Sequence, residues 1–497
     1  VPHHTITGPD GESIDFHETT DHVFNKRGFR YSHCIADPMF PSSQFYRQSE
    51  VPPYAARLNW EDQSSHMYLT QDGRSVTTDK GFRMARANVC VREGRWFWEC
   101  KVTSGIPRKG TKPDGDASGG HIRVGFARRE ATLESMVGFD AYSYGLRDVH
   151  GQRVHLSRPK DFFPPGESIE VGDVIGLEIR LPSESLHRKV VEGHYNPAVD
   201  QPDEDSAELG NPSPEEVADK IRDRVPIRFK SHLYFEQIDY APTKELEDLM
   251  NPAPPLTVSG HSTASSQAPN PNHPVPAMRT LPGSSIKIYK NGVDKGVMFQ
   301  DLLAFLPPAS KPAAGQVGAR DGCDDGNLGY FPAVSVFRGG AVETNFGPDF
   351  WFPPPQPPGY EAQQAEAKPV QDDVEMEDED MDEVDMIGSA PVSAPPPPAQ
   401  TRPSKSVTIA ATPSASAEKV PYHPVADRYT DAIAEDVLAD IVDEVDFWVS
   451  DGCTVPEHAG TRAYPDYGRA AVEEGGEGGA EGPLGEDGGI KELIQDD

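Results

Sequence analysis

From Gly94 to Phe350 the apolar residues of this 497-residue chain recur mainly at every second position. In "RWFWECKV" (95–102), Trp96, Trp98, Cys100 and Val102 alternate with Phe97, Glu99 and Lys101. In "HIRVGFA" (121–127), Ile122, Val124 and Phe126 alternate with Arg123 and Gly125, and "GDVIGLEIRL" (172–181) repeats the pattern. A period of two belongs to a pleated strand with one face buried, not to a helix. "IRFKSHLYFEQ" (227–237) and "YFPAVSVFRGGAVETNFGPDF" (330–350) add further strand candidates, and helical patterns are nearly absent before Pro353. Many short strands separated by Gly- and Pro-rich turns predict an all-β fold, an antiparallel β-sandwich.

One segment sets the long-range pairing. "IKIYKNGVDKGVMFQDL" (286–302) carries Asn291-Gly292, the sequence that a type I′ hairpin turn demands. The stretches around it, 241–283 and 306–328, read as disordered, and an isolated hairpin is barely stable in water. The hairpin must therefore join a sheet built from distant strands.

Composition limits how much of the chain can fold. There are 49 Pro and 45 Gly, and only 36% of residues are hydrophobic. The run at 372–385 and the region from His423 onward together carry 26 of the 34 net negative charges. The acidity therefore belongs to tails, where it governs solvation and steering, and it disfavours direct nucleic-acid binding by the whole chain. Cys34, Cys90, Cys100, Cys323 and Cys453 include no C-x-x-C pair, and Cys90 and Cys100 lie in strand-like apolar surroundings. Reduced, buried thiols and a reducing compartment follow. No apolar run approaches a membrane span or a signal peptide. The chain begins at Val1 rather than Met, which reads as a processed or truncated start.

The expected organisation is an N-terminal extension (1–44) packing on a sandwich domain (45–352), with insertions near 107–120, 183–220, 241–283 and 307–328. A Pro-rich and acidic linker (353–424), a helix (425–450) and a disordered acidic tail (451–497) follow. In "TDAIAEDVLADIVDEVDFWVS" (430–450), Ile433, Val437, Leu438, Ile441, Val445 and Trp448 share one side of a helical wheel. Glu435, Asp436, Asp443 and Asp446 share the other. A helix packed on its own sandwich is the plain alternative, but the long linker speaks against it. A helix so acidic is marginal alone, and a partner groove taking its apolar face would resolve that.

Catalytic signatures are missing. The sequence has no G-x-x-x-x-G-K-[ST], G-x-S-x-G or H-E-x-x-H motif and no zinc-type Cys/His spacing. No catalytic residue, metal or cofactor is expected.

Taken in order, the strands resemble the SPRY (B30.2-core) domain. "SIKIYKNGVDKGVMFQDL" is similar to its late hairpin, "GDVIGLEIRLP" to its middle strand, and "YFPAVSV…VETNFG" to its closing strands. "FNKRGFRY" (24–31), "KGFRMARANVCVREGRWFWE" (80–99), "GFDAYSYGLRDVHGQRVH" (138–155) and "IRFKSHLYFE" (227–236) narrow the resemblance. They resemble the SPRY subunit of Set/MLL (COMPASS) histone H3 lysine methyltransferase complexes, the "absent, small or homeotic discs" family and its fungal counterpart.

That resemblance implies a nuclear, non-enzymatic subunit that stimulates a SET-domain methyltransferase on lysine four of histone H3. It implies a WD-repeat partner of the retinoblastoma-binding protein 5 type, whose acidic segment would meet Phe82, Arg123, Met136, Phe139 and Arg147. Phe82 and Phe139 replace aromatics that usually carry a hydroxyl, and Met136 replaces a proline, so stacking survives and the hydroxyl bonds do not. It also implies that "DVLADIVDEVD" (436–446) docks a dumpy-30 type dimer, with Ile433, Val437, Leu438, Ile441 and Val445 as anchors. Nucleosome contact is expected to be indirect or weak. The alternative is a substrate-recognition adaptor of a ubiquitin ligase, although no RING, B-box, coiled coil or SOCS-box segment is evident.

Overall fold

The computed structural model describes residues 4–7, 13–18, 28–37, 46–108, 120–200, 220, 222, 224–250, 268–313, 324–355 and 422–452, with the C-terminal side chains described through Ile441. The run 372–385, residues 453–497 and the Val445 side chain lie outside the described residues.

Two antiparallel sheets face each other. The larger orders its strands His4–Thr7, Ser13–Glu18, Tyr68–Leu69, Ser75–Thr77, Ala341–Asn345, Gly94–Ser104, Val174–Leu181, Ser285–Lys290 and Val293–Gln300. The other runs Arg158–Lys160, Arg153–His155, Ser143–Arg147, His121–Ala127, Phe331–Phe337, Arg83–Ala87 and Leu58–Gln63. Between them the alternating residues interdigitate: Trp98, Val102, Ile122, Val124, Leu177, Ile286, Ile288 and Val334 are all fully buried in one cluster. The Trp98 ring meets Phe126 edge-on across the two sheets at 6.2 Å and stacks on Phe346 at 5.7 Å. Each such aromatic contributes roughly 0.5–1.5 kcal/mol beyond its buried area.

The hairpin closes one edge of the larger sheet. Ile286 pairs with Ile179 and Ile288 with Leu177, which in turn pairs with Trp98. Asn291 (φ 51) and Gly292 (φ 77) supply the two left-handed residues of the turn. The turn is also tied to its neighbour. Asn291 Oδ1 accepts from the Val174 amide at 2.8 Å, and its Nδ2 donates to Asp173 at 2.9 Å.

Not every outward residue meets solvent. Phe97 and Glu99 point away from the core yet are fully buried. The Glu99 carboxylate accepts the amides of Trp351 (2.6 Å) and Phe352 (2.8 Å), and Phe97 packs with Tyr289, Phe350 and Tyr422.

Two stretches read as insertions carry structure of their own. Glu184–Glu192 is a helix capped by the Ser183 hydroxyl and ended by left-handed Gly193, with His187, Val190 and Val191 buried. Lys244–Met250 and the 3-10 turn Pro276–Met278 add Leu246, Ala277 and Met278 to a second apolar cluster. That cluster includes Met84, Ala127 and Ala333 from the outer face of the seven-stranded sheet. These segments fold because they bury apolar side chains on a sheet face that would otherwise be exposed. A third sheet, Arg224–Phe229, His232–Ile238, Phe29–Ala36 and Tyr46–Gln48, has its own small core around Tyr31, Ile227 and Tyr234.

Candidate functional site: a cationic sheet face and an outward helix stripe

Arg123 and Arg147 stand directly opposite each other on adjacent antiparallel strands, on the face turned away from the core. Like charges in that position repel. Among the described residues neither guanidinium has a carboxylate within ion-pair distance. The nearby Asp148 is already engaged by His121 Nδ1 (2.9 Å) and the amides of Ile122 (3.1 Å) and Val149 (2.8 Å). Burial, and then the Arg147 charge, lower the Arg123 pKa to about 10. Arg123 therefore stays charged at neutral pH at an energetic cost that an incoming anion would relieve.

Phe82 lies beneath Arg123. The Arg123 guanidinium sits 5.0 Å from the Phe82 ring centroid, and Phe82 packs on Phe337 at 4.9 Å. Sequence reasoning missed Phe337, His121 and Arg338, which extend the patch: His121 lies 6.1 Å from the Phe337 ring and Arg338 5.1 Å. The signal was available, because Phe337 breaks parity with the core residues Val334 and Val336 and so points outward.

Met136 and Phe139 enter on a loop. The Phe139 amide donates to the Met136 carbonyl at 3.0 Å across a turn whose third residue, Gly138, has φ +85. That is the type II geometry that requires glycine. The loop is stitched to the sheet by Val137 N–H to Ser335 Oγ (3.0 Å), and Ser335 is Arg123's other cross-strand neighbour. It crosses so closely over Gly145 that a Cβ there would lie 2.7 Å from the Val137 carbonyl oxygen. Phe82, Arg123 and Arg147 thus form one patch, with the half-buried Met136 and Phe139 on a loop bound down beside it. Gly145→Ala is expected to lift that loop while the sandwich stays folded, at about 1–3 kcal/mol of stability. Scanning calorimetry should show the corresponding drop in unfolding midpoint.

The second surface is the helix Asp427–Gly452. The linker does not leave it free of the sandwich. His423 and Pro424 pair in parallel with Trp96 and Phe97, Val425 is fully buried, and Arg428 Nε donates to the Cys90 carbonyl at 3.1 Å. Its acidic side faces inward. Glu435 pairs with Arg428 (3.0 Å) and Lys220 (3.8 Å), Asp440 with Arg224 (2.9 Å), and Asp436 with Arg222. Burial would raise the Glu435 pKa, but Arg428 and Lys220 outweigh it and hold the carboxylate below its ordinary range. The apolar side faces outward: Ile433, Val437, Leu438 and Ile441 are 48, 43, 41 and 46% exposed. This inverts the usual amphipathic arrangement, with ion pairs against the domain and hydrocarbon toward water.

By fold, the chain is a two-layer antiparallel β-sandwich that presents charged and apolar surface on its loops and appended helix. Solved SPRY domains are among its structural neighbours. That of human HERC1 has a TM-score of 0.26 and 12% identity and covers 58% of this chain and 96% of that one. No family model matches the chain. Sequence similarity is more specific. The chain is 53% identical over 496 residues to the COMPASS component cclA of Colletotrichum higginsianum, covering 100% of this chain and 78% of that protein. To the Set1 complex component ash2 of Schizosaccharomyces pombe it is 34% identical, covering 90% of this chain and 50% of that protein. To the COMPASS component BRE2 of Saccharomyces cerevisiae it is 27% identical, covering 68% of this chain and 81% of that protein. The chain belongs to the family of COMPASS component cclA.

Proposed function

We propose that this protein is a non-catalytic scaffold and activating subunit of a nuclear histone H3 lysine-four methyltransferase complex. The names of its relatives support membership in a COMPASS or Set1 assembly. The observation that carries the finer reading is the facing pair Arg123 and Arg147, with Arg123 stacked on Phe82 and neither guanidinium meeting a carboxylate among the described residues. An acidic, extended segment of a WD-repeat subunit of the retinoblastoma-binding protein 5 type would supply the missing anions, with Met136 and Phe139 at its flank. Charge-assisted bonds of this kind contribute about 1.5–3 kcal/mol each. The outward stripe Ile433, Val437, Leu438 and Ile441 would seat a dumpy-30 type dimer, with Val445 as a further anchor expected from the sequence. Activation then consists of holding the WD-repeat subunit where it orders the SET-domain enzyme, with no chemical group contributed.

A reconstituted methylation assay tests this reading. Arg123→Ala with Arg147→Ala is expected to weaken WD-repeat binding by about a hundredfold or more. Methylation should fall at limiting partner. Equal binding and equal rates for the double variant and the parent protein would refute it.

A further inference from the structure

Where the third sheet meets the sandwich there is a polar cavity of about 70 Å³, unrelated to either surface above. Arg30, Ser32, Asn59, Glu61 and Arg129 line it, and exposed Gln48 stands at its solvent side. Among the described residues, several of its groups are buried without a hydrogen-bond partner. Arg30 is 6% exposed; its Nε donates to Gln237 at 2.6 Å and its Nη2 to Asp325, but Nη1 donates to nothing. Ser32 Oγ is likewise unpaired, and Arg129 Nε lies 3.6 Å from Asp239, too far for a hydrogen bond. A buried donor left unmade costs about 1–3 kcal/mol, so these groups mark a place built to be filled.

Charge balance narrows what fills it. Arg86 and Arg129 share Asp62 at 2.7 Å each, Arg129 also lies 3.6 Å from Asp239, and Arg30 pairs with Asp325, so three guanidiniums face three carboxylates. An added anion would therefore lack a free countercharge. Glu61 accepts the His33 amide at 3.1 Å and lies 3.6 Å from His33 Nε2, and burial raises its pKa to about 8. The cavity thus wants a neutral group that accepts from guanidinium and hydroxyl donors and exchanges hydrogen bonds with a carboxyl. A primary amide does both: its oxygen takes the donors, and its N–H₂ meets the Glu61 oxygen.

We propose that this cavity is a binding site for a primary carboxamide, the side-chain group of glutamine or asparagine. Saturation-transfer NMR on the full chain tests it with N-acetylglutamine N-methylamide, free glutamine, and N-acetylglutamate N-methylamide as the charged isostere that carries no primary carboxamide. Transfer to the glutamine probes should exceed transfer to the glutamate probe about fivefold or more, because burying the extra charge is costly. A response confined to the capped residue identifies a peptide side chain as the natural source; a response to free glutamine as well identifies a small molecule. Ser32→Leu, which fills the cavity, should abolish the signal, and so should Gln48→Trp, which covers the mouth without touching the interior. Equal transfer to both isosteres, transfer that survives a folded Gln48→Trp variant, or no transfer to any amide would overturn the assignment.

Discussion

Leu438→Asp combined with Ile441→Asp is expected to abolish capture of the docking dimer while leaving the protein folded. Both side chains are more than two-fifths exposed, so the free protein loses little when they change. In a partner's groove each would instead forfeit about 1.5–3 kcal/mol of burial and force a carboxylate out of water. The combined loss corresponds to at least about a hundredfold in affinity. Fluorescence anisotropy of the full chain against the dimer checks it, with circular dichroism as the control for folding. Asp440→Ala, on the inner side of the same helix, should instead remove the pair with Arg224, loosen the helix from the sandwich and leave the apolar contact intact.

The largest effect on stability is expected from Asp62→Ala. Asp62 is 2% exposed and accepts from Arg86 at 2.9 and 2.7 Å and from Arg129 at 2.7 Å. Removing it strands two buried guanidinium groups, which costs about 3–5 kcal/mol. Scanning calorimetry should show the unfolding midpoint falling by on the order of 10 °C. The same carboxylate predicts an acid response. Burial would raise its pKa, but Arg129 and Arg86 prevail and hold it at about 2, against 3.8 unfolded. Its stabilisation is therefore complete above about pH 4 and disappears as pH falls through 2, because the unfolded chain takes up the proton first. Asp62→Ala should remove that part of the acid transition.

The sandwich was legible because alternation over "RWFWECKV", "HIRVGFA" and "VIGLEIRL" has one structural solution, and Asn291-Gly292 fixes the hairpin register. The helix at 184–192 was equally written, in Ser183, Leu186, Val190 and Gly193, but its nine residues sit inside a polar stretch that masks their period. The burial of Ala277 and Met278 against Met84 and Ala333, and of Leu306 and Ala309 in the main core, could not be read locally, since it depends on sheets assembled from distant strands. At the cationic face, Arg123 and Arg147 were identifiable through family resemblance, whereas their direct opposition is a matter of register. The helix shows the limit most plainly. Its wheel separated apolar from acidic sides correctly, yet which side meets the domain depends on Lys220, Arg222 and Arg224, far away in the chain.

That inverted helix has two joints of opposite character. Concentrated sulfate would screen the carboxylate–guanidinium seam beneath it and at the same time tighten any hydrocarbon contact above it. A complex washed in such a buffer should keep its dimer bound but let it swing, a change visible as broadened interdomain distances with no loss of subunits. Under dilute conditions the intact seam would act as a stiff bracket, holding the proposed dimer at one fixed angle.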